Sequence, residues 1–394
     1  MLQSFWRPAD SADLFQFSVS SSKFNHEQII AMVAKSGVML LGHDLSTVLQ
    51  CEKKGLKYYD FNSNYSKPPE QIVADHGANF IRLRLWVNPP AGFSDLSSVF
   101  EMAKRAKKAN LNILLCLHLS DYWADPGKQY TPAVWADQDF DTLRKTVADY
   151  VASTVGALQS QGTPPSMVAV GNEISNGMLW PTGSLSYTSQ FTALLKSGLA
   201  AVDNDIATMV HINNGQDEGL VTWFMDLMVA DDVSFDFLGL SFYPGDGALL
   251  SDLETSLAKA ASRYNKPMII AEVADYWIPA PNNPGTQESS LDALLQVVTA
   301  LPRGLGAGVC YWESAWRSPA EAYPGEGNSY WTRALWNDLG NPLPALRCFE
   351  HYSQARVASA ELTMQPDHGP SELEPTIAQA QSTGAQLSNE TKDL

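Results

Sequence analysis

The sequence is poor in basic residues and contains no long apolar run. Its 394 residues include 26 Lys and Arg against 43 Asp and Glu, which gives a formal net charge of -17. That imbalance argues against nucleic acid or an anionic membrane surface as a partner, because both repel an acidic protein. No stretch approaches the ~20 consecutive apolar residues of a transmembrane helix. We therefore expect neither nucleic acid nor a membrane among the partners.

Sequence patterns that bind metal are also missing. The four cysteines, Cys51, Cys116, Cys310 and Cys348, are far apart and form no CxxC or Cys/His cluster, and the chain has no HxH or HExxH spacing. We therefore expect no structural zinc site and no metal-dependent hydrolase. Cys116 and Cys310 lie inside apolar runs, where buried free thiols are expected. A disulfide between Cys51 and Cys348 stays open.

The two ends of the chain differ from its middle. Residues 1–36 are predicted to form a polar extension with a short helix at 25–37, and residues 355–394 lack aromatic residues and are predicted to be disordered. The first residues have no basic segment followed by an apolar one, so no secretory signal peptide is predicted. Taken literally, the chain is soluble and unsecreted, and a shortened or misassembled start is the other explanation. Residues 37–354 form the single predicted domain.

In that domain, short apolar runs alternate with amphipathic helical segments. Near-continuous apolar strands separated by helices indicate a parallel sheet that is covered on both faces. Eight such strands predict an α/β fold of the (β/α)8 TIM barrel type. The predicted strands span residues 38–44, 79–86, 112–119, 167–173, 208–213, 235–243, 267–272 and 306–313.

Polar and aromatic residues end most of these strands. In a TIM barrel the functional site is built at the carboxyl ends of the strands, so these side chains are candidates for one site. They are Asp44, Arg84, Trp86, His118, Asp121, Asn172, Glu173, Tyr243, Glu272, Trp312 and Glu313.

Two of these residues suggest a reaction. Glu173 and Glu272 end strands 4 and 7, on opposite sides of an eight-strand ring, and therefore face each other across its mouth. Two facing carboxylates suit glycoside hydrolysis, in which one protonates the leaving oxygen and the other attacks the sugar or activates water. A carboxylate separation of about 5 to 5.5 Å predicts retention of configuration, and one of roughly 6.5 to 9.5 Å predicts inversion.

The motifs around these residues resemble those of the family 53 glycoside hydrolases, endo-β-1,4-galactanases of clan A that act on arabinogalactan and pectic galactan. The similarity extends over residues 37–345 and includes "GHDLS", "IRLRLWVNP", "LHLSDYWADPGKQYTP", "VAVGNEISNGMLWPTG", "GLSFYP" and "YWESAW". It implies a retaining mechanism with Glu173 as acid/base and Glu272 as nucleophile. Asn172 would then bind the sugar 2-hydroxyl.

The resemblance also implies supporting roles. Arg84 and Tyr243 would keep Glu272 ionised and oriented, although Arg82 competes with Arg84 for that role. His118 would lie near the acid/base or the sugar in the cleaving subsite, whereas His211 is expected to be structural.

Sugar rings stack on flat aromatic side chains, and their hydroxyls bind carboxylates. Trp86, Trp123, Trp312 and Trp180 are therefore candidate sugar platforms, and Asp44, Asp121 and Asp125 are candidate hydroxyl acceptors. Asp44 and Glu313 could equally cap the next helix.

The sequence departs from the family pattern in three places: at His43, after strand 5 in "HINNGQDEG", and after strand 7 in "VADYWIPAPNNPG". A glycosidase for mannan, xylan or cellulose and a catalytically silent carbohydrate-binding barrel are the alternative functions. We expect a monomer that needs no cofactor. Calcium sites occur in some relatives, but no loop here indicates one. The resemblance implies an extracellular location, which conflicts with the predicted lack of a signal peptide.

Overall fold

The structure is a computed structural model that describes residues 39–90, 92–276, 287–317 and 330–353. The predicted extension over residues 1–36, its helix at 25–37 and the predicted tail over residues 355–394 lie outside the described residues. So does most of the segment after strand 7 in which the sequence departs from the family pattern.

Eight parallel strands close into a barrel in chain order, so the predicted (β/α)8 fold is confirmed. The ring is closed by the pairing of the first strand with the last, for example Gly42 with Cys310. The strands are β1 Leu40–Asp44, β2 Phe80–Leu85, β3 Asn112–Leu117, β4 Met167–Val170, β5 Ala207–Ile212, β6 Phe237–Phe242, β7 Met268–Val273 and β8 Gly306–Tyr311.

Helices follow the strands and cover the outside of the ring. The described helices are α1 Val48–Lys53, α2 Pro69–Asp75, α3 Leu96–Lys108, α4 Phe140–Ser160, α5 Thr188–Ala200, α6 Glu218–Ala230, α7 Leu250–Tyr264 and α8 Gln287–Ala300. None of these helices is long and apolar enough to cross a membrane.

Helix α3 shows how local sequence sets these boundaries. Asp95 caps its first turn by accepting a hydrogen bond from the Ser98 backbone N–H at 2.8 Å. Arg105, Lys107 and Lys108 occupy the last turn, where positive charge is favourable next to the carboxyl end of the helix dipole. Between these ends, buried apolar residues recur at helical spacing and pack on the sheet.

The interior of the barrel changes from apolar to polar along its axis. Its lower part is filled by an apolar cluster that includes Leu40, Phe80, Met209, Phe237 and Ile269. Its upper part, at the carboxyl ends of the strands, is filled by buried polar side chains: Asp44, Arg82, His211, Ser241 and Glu272. Because buried charges require partners, this upper layer must be a connected network.

All four cysteines are buried free thiols. The expectation for Cys116 and Cys310 is confirmed, and the possible disulfide between Cys51 and Cys348 is not formed.

Candidate active site

The end of β4 is shaped by a short run of left-handed backbone. The strand stops at Val170, three residues before the predicted end, because Gly171 turns the chain with a φ of 84°. A Cβ atom on Gly171 would lie 2.5 Å from Ile174 Cγ2, so no larger residue fits. Glu173 also has a left-handed φ, 48°. For a residue with a side chain this costs roughly 1–3 kcal/mol, and such strain concentrates at functional sites.

The end of β7 is shaped by a bulge. Leu240 pairs with Ile270, but the next residue on β6, Ser241, pairs with Glu272, so Ala271 is skipped. Ala271 belongs to the apolar cluster inside the barrel, and the extra residue lets its neighbour Glu272 point inward as well. The bulge therefore places a second carboxylate at the mouth of the barrel.

Glu173 and Glu272 line one cavity at this mouth, as the sequence predicted for strand-end residues. The cavity encloses about 200 Å³. It is lined by Trp123, Ala124, Asp125, Lys128, Asn172, Glu173, Tyr243, Asp246, Glu272, Trp312 and Arg333. These side chains come from the ends of β3, β4, β6, β7 and β8 and from the segment that follows the barrel.

Arg82 is the centre of the buried network beneath this cavity. Its Nη2 donates to Glu272 Oε1 at 2.6 Å and to Asn172 Oδ1 at 2.7 Å, and its Nη1 pairs with Asp44. Tyr243 contacts the other oxygen of Glu272: its hydroxyl donates a hydrogen bond to Oε2 at 2.7 Å. Both oxygens of Glu272 are thus held by donors, which fixes the orientation of the carboxylate.

The prediction that Arg84 holds Glu272 is therefore wrong, and Arg82 makes that contact. Both arginines point into the barrel, because they are two residues apart on one strand, but Arg84 lies one layer higher. There its Nη1 pairs with Glu313 at 2.6 Å, and its guanidinium lies 4.0 Å from the centre of the Trp123 ring. Arg84 supports the wall of the cavity instead. It acts on Glu272 only through its charge, which is more distant than that of Arg82 and favours the ionised carboxylate.

The two glutamates differ in their electrostatic surroundings. Burial, followed by the charge of Glu272, raises the pKa of Glu173 to about 8. Burial also raises the pKa of Glu272, but the charge of Arg82 and the hydrogen bond from Tyr243 act in the opposite direction. These partners of Glu272 favour its ionised form, whereas the negative charge of Glu272 favours the protonated form of Glu173.

Asn172 is oriented by Ala124 and His211 as well as by Arg82. Its Nδ2 donates to the Ala124 carbonyl at 2.8 Å, and its Oδ1 lies 3.0 Å from His211 Nδ1. The other nitrogen of His211 lies 2.9 Å from Ser241 Oγ. His211 was expected to be structural, and it contacts Asn172, which lines the cavity.

His118 is buried behind the cavity wall. Its Nδ1 accepts hydrogen bonds from Trp86 Nε1 at 3.3 Å and from the Ala124 backbone N–H at 3.1 Å. Burial and the charges of Arg84 and Arg82 lower its pKa well below the ordinary value, so the ring is neutral. These contacts make His118 a support for the Ala124 segment, and its proposed contact with sugar remains a prediction.

The candidate aromatic platforms fall into two groups. Trp123 and Trp312 line the cavity, with their ring centroids 6.1 Å apart. Trp86 is fully buried and packs against Trp123 at 5.2 Å, so the prediction that it is a sugar platform is wrong. A tryptophan at a strand end can face either the cavity or the core, and the sequence does not distinguish the two. Trp180 packs edge-on against Tyr130, at 5.9 Å, outside the residues that line the cavity.

Of the candidate acidic residues, only some line the cavity. Asp125 lines the cavity and pairs with Lys128 at 3.2 Å. Asp44 is completely buried against Arg82 and Ser46, so the prediction that it accepts a sugar hydroxyl is wrong. Asp121 accepts the Ala133 backbone N–H at 2.9 Å and is not part of the cavity lining. Glu313 is buried, with Arg84 and the Thr47 hydroxyl as partners, and acts as a support.

Sequence reasoning missed three charged residues of the cavity: Lys128, Asp246 and Arg333. Arg333 donates to Asp246 Oδ1 at 2.5 Å and lies 5.1 Å from the centre of the Tyr243 ring. Lys128 lies within the motif "DYWADPGKQYTP" and could have been noted there. Arg333 belongs to the segment after β8, and no strand pattern indicated its position.

The described residues contain no group of three or more His, Cys, Asp or Glu side chains arranged to hold a metal ion. What the cavity does contain is a carboxyl whose pKa is raised to about 8, a carboxylate whose two oxygens are held by donors, the amide of Asn172 and aromatic walls. This set can transfer a proton to a leaving oxygen and place a carboxylate nucleophile on the carbon that the oxygen leaves.

Comparison with known proteins gives consistent matches. The model of glycosyl hydrolase family 53 matches residues 40–349. A probable arabinogalactan endo-β-1,4-galactanase A of Aspergillus terreus is 37% identical over 313 residues, covering 73% of this chain and 89% of that protein. The arabinogalactan endo-β-1,4-galactanase of Thermothelomyces thermophilus is 33% identical over 334 residues, covering 78% of this chain and 98% of that protein. A chain from the solved structures of two fungal β-1,4-galactanases has a TM-score of 0.72 at 31% identity, covering 79% of this chain and 99% of its own length.

Proposed function

The chain belongs to glycosyl hydrolase family 53 and is a glycoside hydrolase, and we propose that it cleaves β-1,4-galactosidic bonds inside (arabino)galactan chains with retention of configuration. One observation carries this proposal. Glu173 and Glu272 line the same cavity, and only Glu272 has both of its oxygens held by Arg82 and Tyr243. The pair thus consists of an acid and a nucleophile.

In the first step, Glu272 attacks the anomeric carbon of the galactosyl unit while Glu173 protonates the departing glycosidic oxygen. A bond forms between carbon and Glu272 as the bond between carbon and the leaving oxygen breaks, which gives a covalent glycosyl-enzyme. Because Arg82 and Tyr243 fix both oxygens of Glu272, little reorientation is needed to reach the transition state.

In the second step, Glu173 removes a proton from water, and the water oxygen displaces Glu272 from the same carbon. The electrostatics favour this change of role. The negative charge of Glu272 is one cause of the raised pKa of Glu173, and that charge is absent while Glu272 is bound to sugar. The pKa of Glu173 therefore falls in the intermediate, where a base is needed.

The residues around the pair supply binding and orientation. In this proposal Asn172, which is held by Arg82 and the Ala124 carbonyl, binds the 2-hydroxyl of the reacting sugar, an interaction that strengthens in the transition state. Trp123 and Trp312 offer apolar faces to the sugar rings, and Asp125 offers a carboxylate to their hydroxyls.

The names of the similar fungal proteins support the choice of galactan as the substrate and of cleavage inside the polysaccharide. The proposed chemistry needs no metal, since acid, base and nucleophile are all side chains of this protein. We also propose that the enzyme acts as a monomer. An intact polysaccharide does not cross a bilayer, so the enzyme is expected to meet its substrate outside the cell.

The test is the release of reducing sugar from linear β-1,4-galactan beside mannan, xylan and cellulose, with and without EDTA. Cleavage of galactan alone, unaffected by EDTA, is expected. NMR of the first products should show the β anomer before mutarotation. Cleavage of another polymer would replace galactan in the proposal, and first-formed α anomer would rule out retention. The matched control is Glu272→Gln, which keeps the shape of the side chain and removes the nucleophile.

A further inference from the structure

One carboxylate of the cavity lining is held by two side chains that come from other parts of the chain. Asp246 lies in the loop after β6, Tyr276 follows β7 and Arg333 lies in the segment after β8. Arg333 Nη2 donates to Asp246 Oδ1 at 2.5 Å and to the Tyr276 hydroxyl oxygen at 2.7 Å. The Tyr276 hydroxyl donates to the same Oδ1 at 3.1 Å. The three side chains thus form a closed triangle of hydrogen bonds.

The guanidinium of Arg333 is itself fixed in position. Its side chain is only 6% exposed and lies over two aromatic rings, 5.1 Å from the centre of Tyr243 and 4.7 Å from the centre of Tyr276. Its backbone carbonyl accepts a hydrogen bond from the Tyr311 hydroxyl at 2.8 Å. Because a buried guanidinium requires a negatively charged partner, Arg333 holds the Asp246 carboxylate at one place in the cavity wall.

The backbone of the loop after β6 also brings Asp246 close to β7. Gly245 has no side chain, and a Cβ atom there would lie 2.8 Å from Asp275 Oδ1 and 2.8 Å from Tyr276 Cδ2. A larger residue would therefore push the loop away from the end of β7. The Asp246 backbone N–H donates to the Tyr243 carbonyl at 3.1 Å, which ties the loop to the residue that holds the nucleophile.

The two oxygens of Asp246 have different surroundings. Oδ1 accepts from Arg333 and Tyr276, whereas Oδ2 has no donor among the described residues. The side chain is half exposed and lines the cavity. A ligand that fills the cavity removes water from Oδ2, and a carboxylate oxygen that loses water without gaining a donor raises the free energy of the complex. A ligand that carries hydroxyl groups supplies such a donor.

We propose that Asp246 is a substrate-binding residue whose Oδ2 accepts a hydrogen bond from a hydroxyl of the galactan chain. Arg333 and Tyr276 are the positioning residues that hold its carboxylate for this contact. The inference rests on the proposed function and deepens it, because it names a polar contact by which the cavity binds a neutral sugar.

The alternative role for Asp246 is that of an ion-pair partner for Arg333 and nothing else. The Asp246→Asn substitution separates the two roles. Because a guanidinium can only donate, the new amide must turn its oxygen to Arg333 and its nitrogen to the place of Oδ2. The variant therefore keeps a partner for Arg333 and loses the negatively charged acceptor that would face the sugar.

The first test measures binding without turnover. β-1,4-Galactotetraose is titrated calorimetrically into the Glu272→Gln variant and into the same variant with Asp246→Asn added. The Kd should rise roughly 10-fold on adding Asp246→Asn, because a hydrogen bond to a charged group is replaced by one between neutral groups. An unchanged Kd would show that Oδ2 does not contact the sugar, and the proposal would be overturned.

The second test is steady-state kinetics on β-1,4-galactan with Asp246→Asn in the otherwise wild-type enzyme. Among the described residues, Asp246 makes no hydrogen bond to either catalytic glutamate. The variant should therefore raise KM roughly 10-fold and leave kcat within about twofold, the pattern of a lost binding contact. A fall in kcat at unchanged KM would contradict the assigned role in binding.

Asp226 offers a matched control on the outside of the barrel. It also pairs with an arginine, Arg263, at 2.7 Å, and it also accepts a tyrosine hydroxyl, that of Tyr264, at 2.8 Å. Its side chain is 45% exposed, but it lies on α6 and not in the cavity lining. Asp226→Asn should leave Kd and KM unchanged. Equal rises in KM for the two aspartate variants would assign the effect to a weakened ion pair and refute the contact with sugar.

Failure of the proposed function would be recognised separately. A wild-type protein that binds β-1,4-galactotetraose but releases no reducing sugar from galactan would end the proposed function alone, since the titration needs no turnover. If the wild type cleaves another polymer instead, galactan is replaced as the substrate, and the same titration with the oligosaccharide of that polymer decides whether Asp246 binds it.

Discussion

The ends of β4 and β7 present the same side chain to the same cavity in opposite surroundings. At β7 the carboxylate of Glu272 is met by a guanidinium and a phenol, at 2.6 and 2.7 Å. At β4 the half-buried Glu173 stands on a left-handed turn, with the negative charge of Glu272 as its strongest electrostatic neighbour. The identity of a residue therefore does not decide whether it is an acid or a nucleophile. The neighbours decide it, through their effect on the charged form.

The largest expected effect comes from removing the side chain at β7. Glu272→Ala should lower kcat on galactan by at least about 10⁴-fold, because no group remains to form the covalent intermediate. Azide should enter the space left beside Arg82 and attack the face that Glu272 occupied, restoring turnover and giving an α-galactosyl azide, which NMR identifies.

The same experiment at β4 provides the comparison. Glu173→Ala with azide should give a β-galactosyl azide, because azide then attacks the glycosyl-enzyme from the opposite face. If the two variants gave azides of the same configuration, or if the anomers were exchanged, the assignment of acid and nucleophile would be wrong.

A smaller effect is expected when only the proton donor is removed. Glu173→Gln should lower kcat/KM on galactan by about 10²- to 10⁴-fold, the range of general acid catalysis. Formation of the glycosyl-enzyme from a dinitrophenyl galactoside should be nearly unaffected, since that leaving group departs without a proton. A stopped-flow burst measures this step. Equal losses on both substrates would show that Glu173 has a role other than proton donation.

The sequence predicted the parts of this comparison that follow from regular repetition. Eight apolar runs separated by helices predicted the barrel, and the polar residues at the strand ends predicted where Glu173 and Glu272 meet. Both of these features depend on properties that each strand shows by itself.

The parts that were wrong depend on contacts between strands. Arg82 and Arg84 have the same spacing pattern, and the choice between them as partner of Glu272 depends on the level at which each crosses the barrel. The bulge at Ala271, which sets the level of Glu272, is a feature of strand pairing and has no signature in the run "MIIAEV".

The smallest expected effect is on stability, and it separates the two regions by pH. The folded-state pKa of Glu173, about 8, lies above its unfolded value of about 4.5. A group raised in this way contributes stability that is complete below pH 4.5 and is lost as the pH rises to about 8. The glutamine of the Glu173→Gln variant cannot ionise, so the variant does not lose stability in this way. The Tm of this variant minus that of the wild type should therefore increase between pH 4.5 and 8 and level off above pH 8.

Glu313→Gln is the matched control for this measurement, because Glu313 is another glutamate at a strand end, but one that is fully buried and paired with Arg84 at 2.6 Å. Its replacement removes the carboxylate from a buried guanidinium and should lower Tm above about pH 7, the value to which burial raises the pKa of Glu313, because the pair is ionised there in the wild type. Scanning calorimetry from pH 4 to 9 gives both curves. A Tm difference for Glu173→Gln that is flat with pH would mean that Glu173 is not held protonated by its surroundings, and the contrast between the ends of β4 and β7 would lose its electrostatic basis.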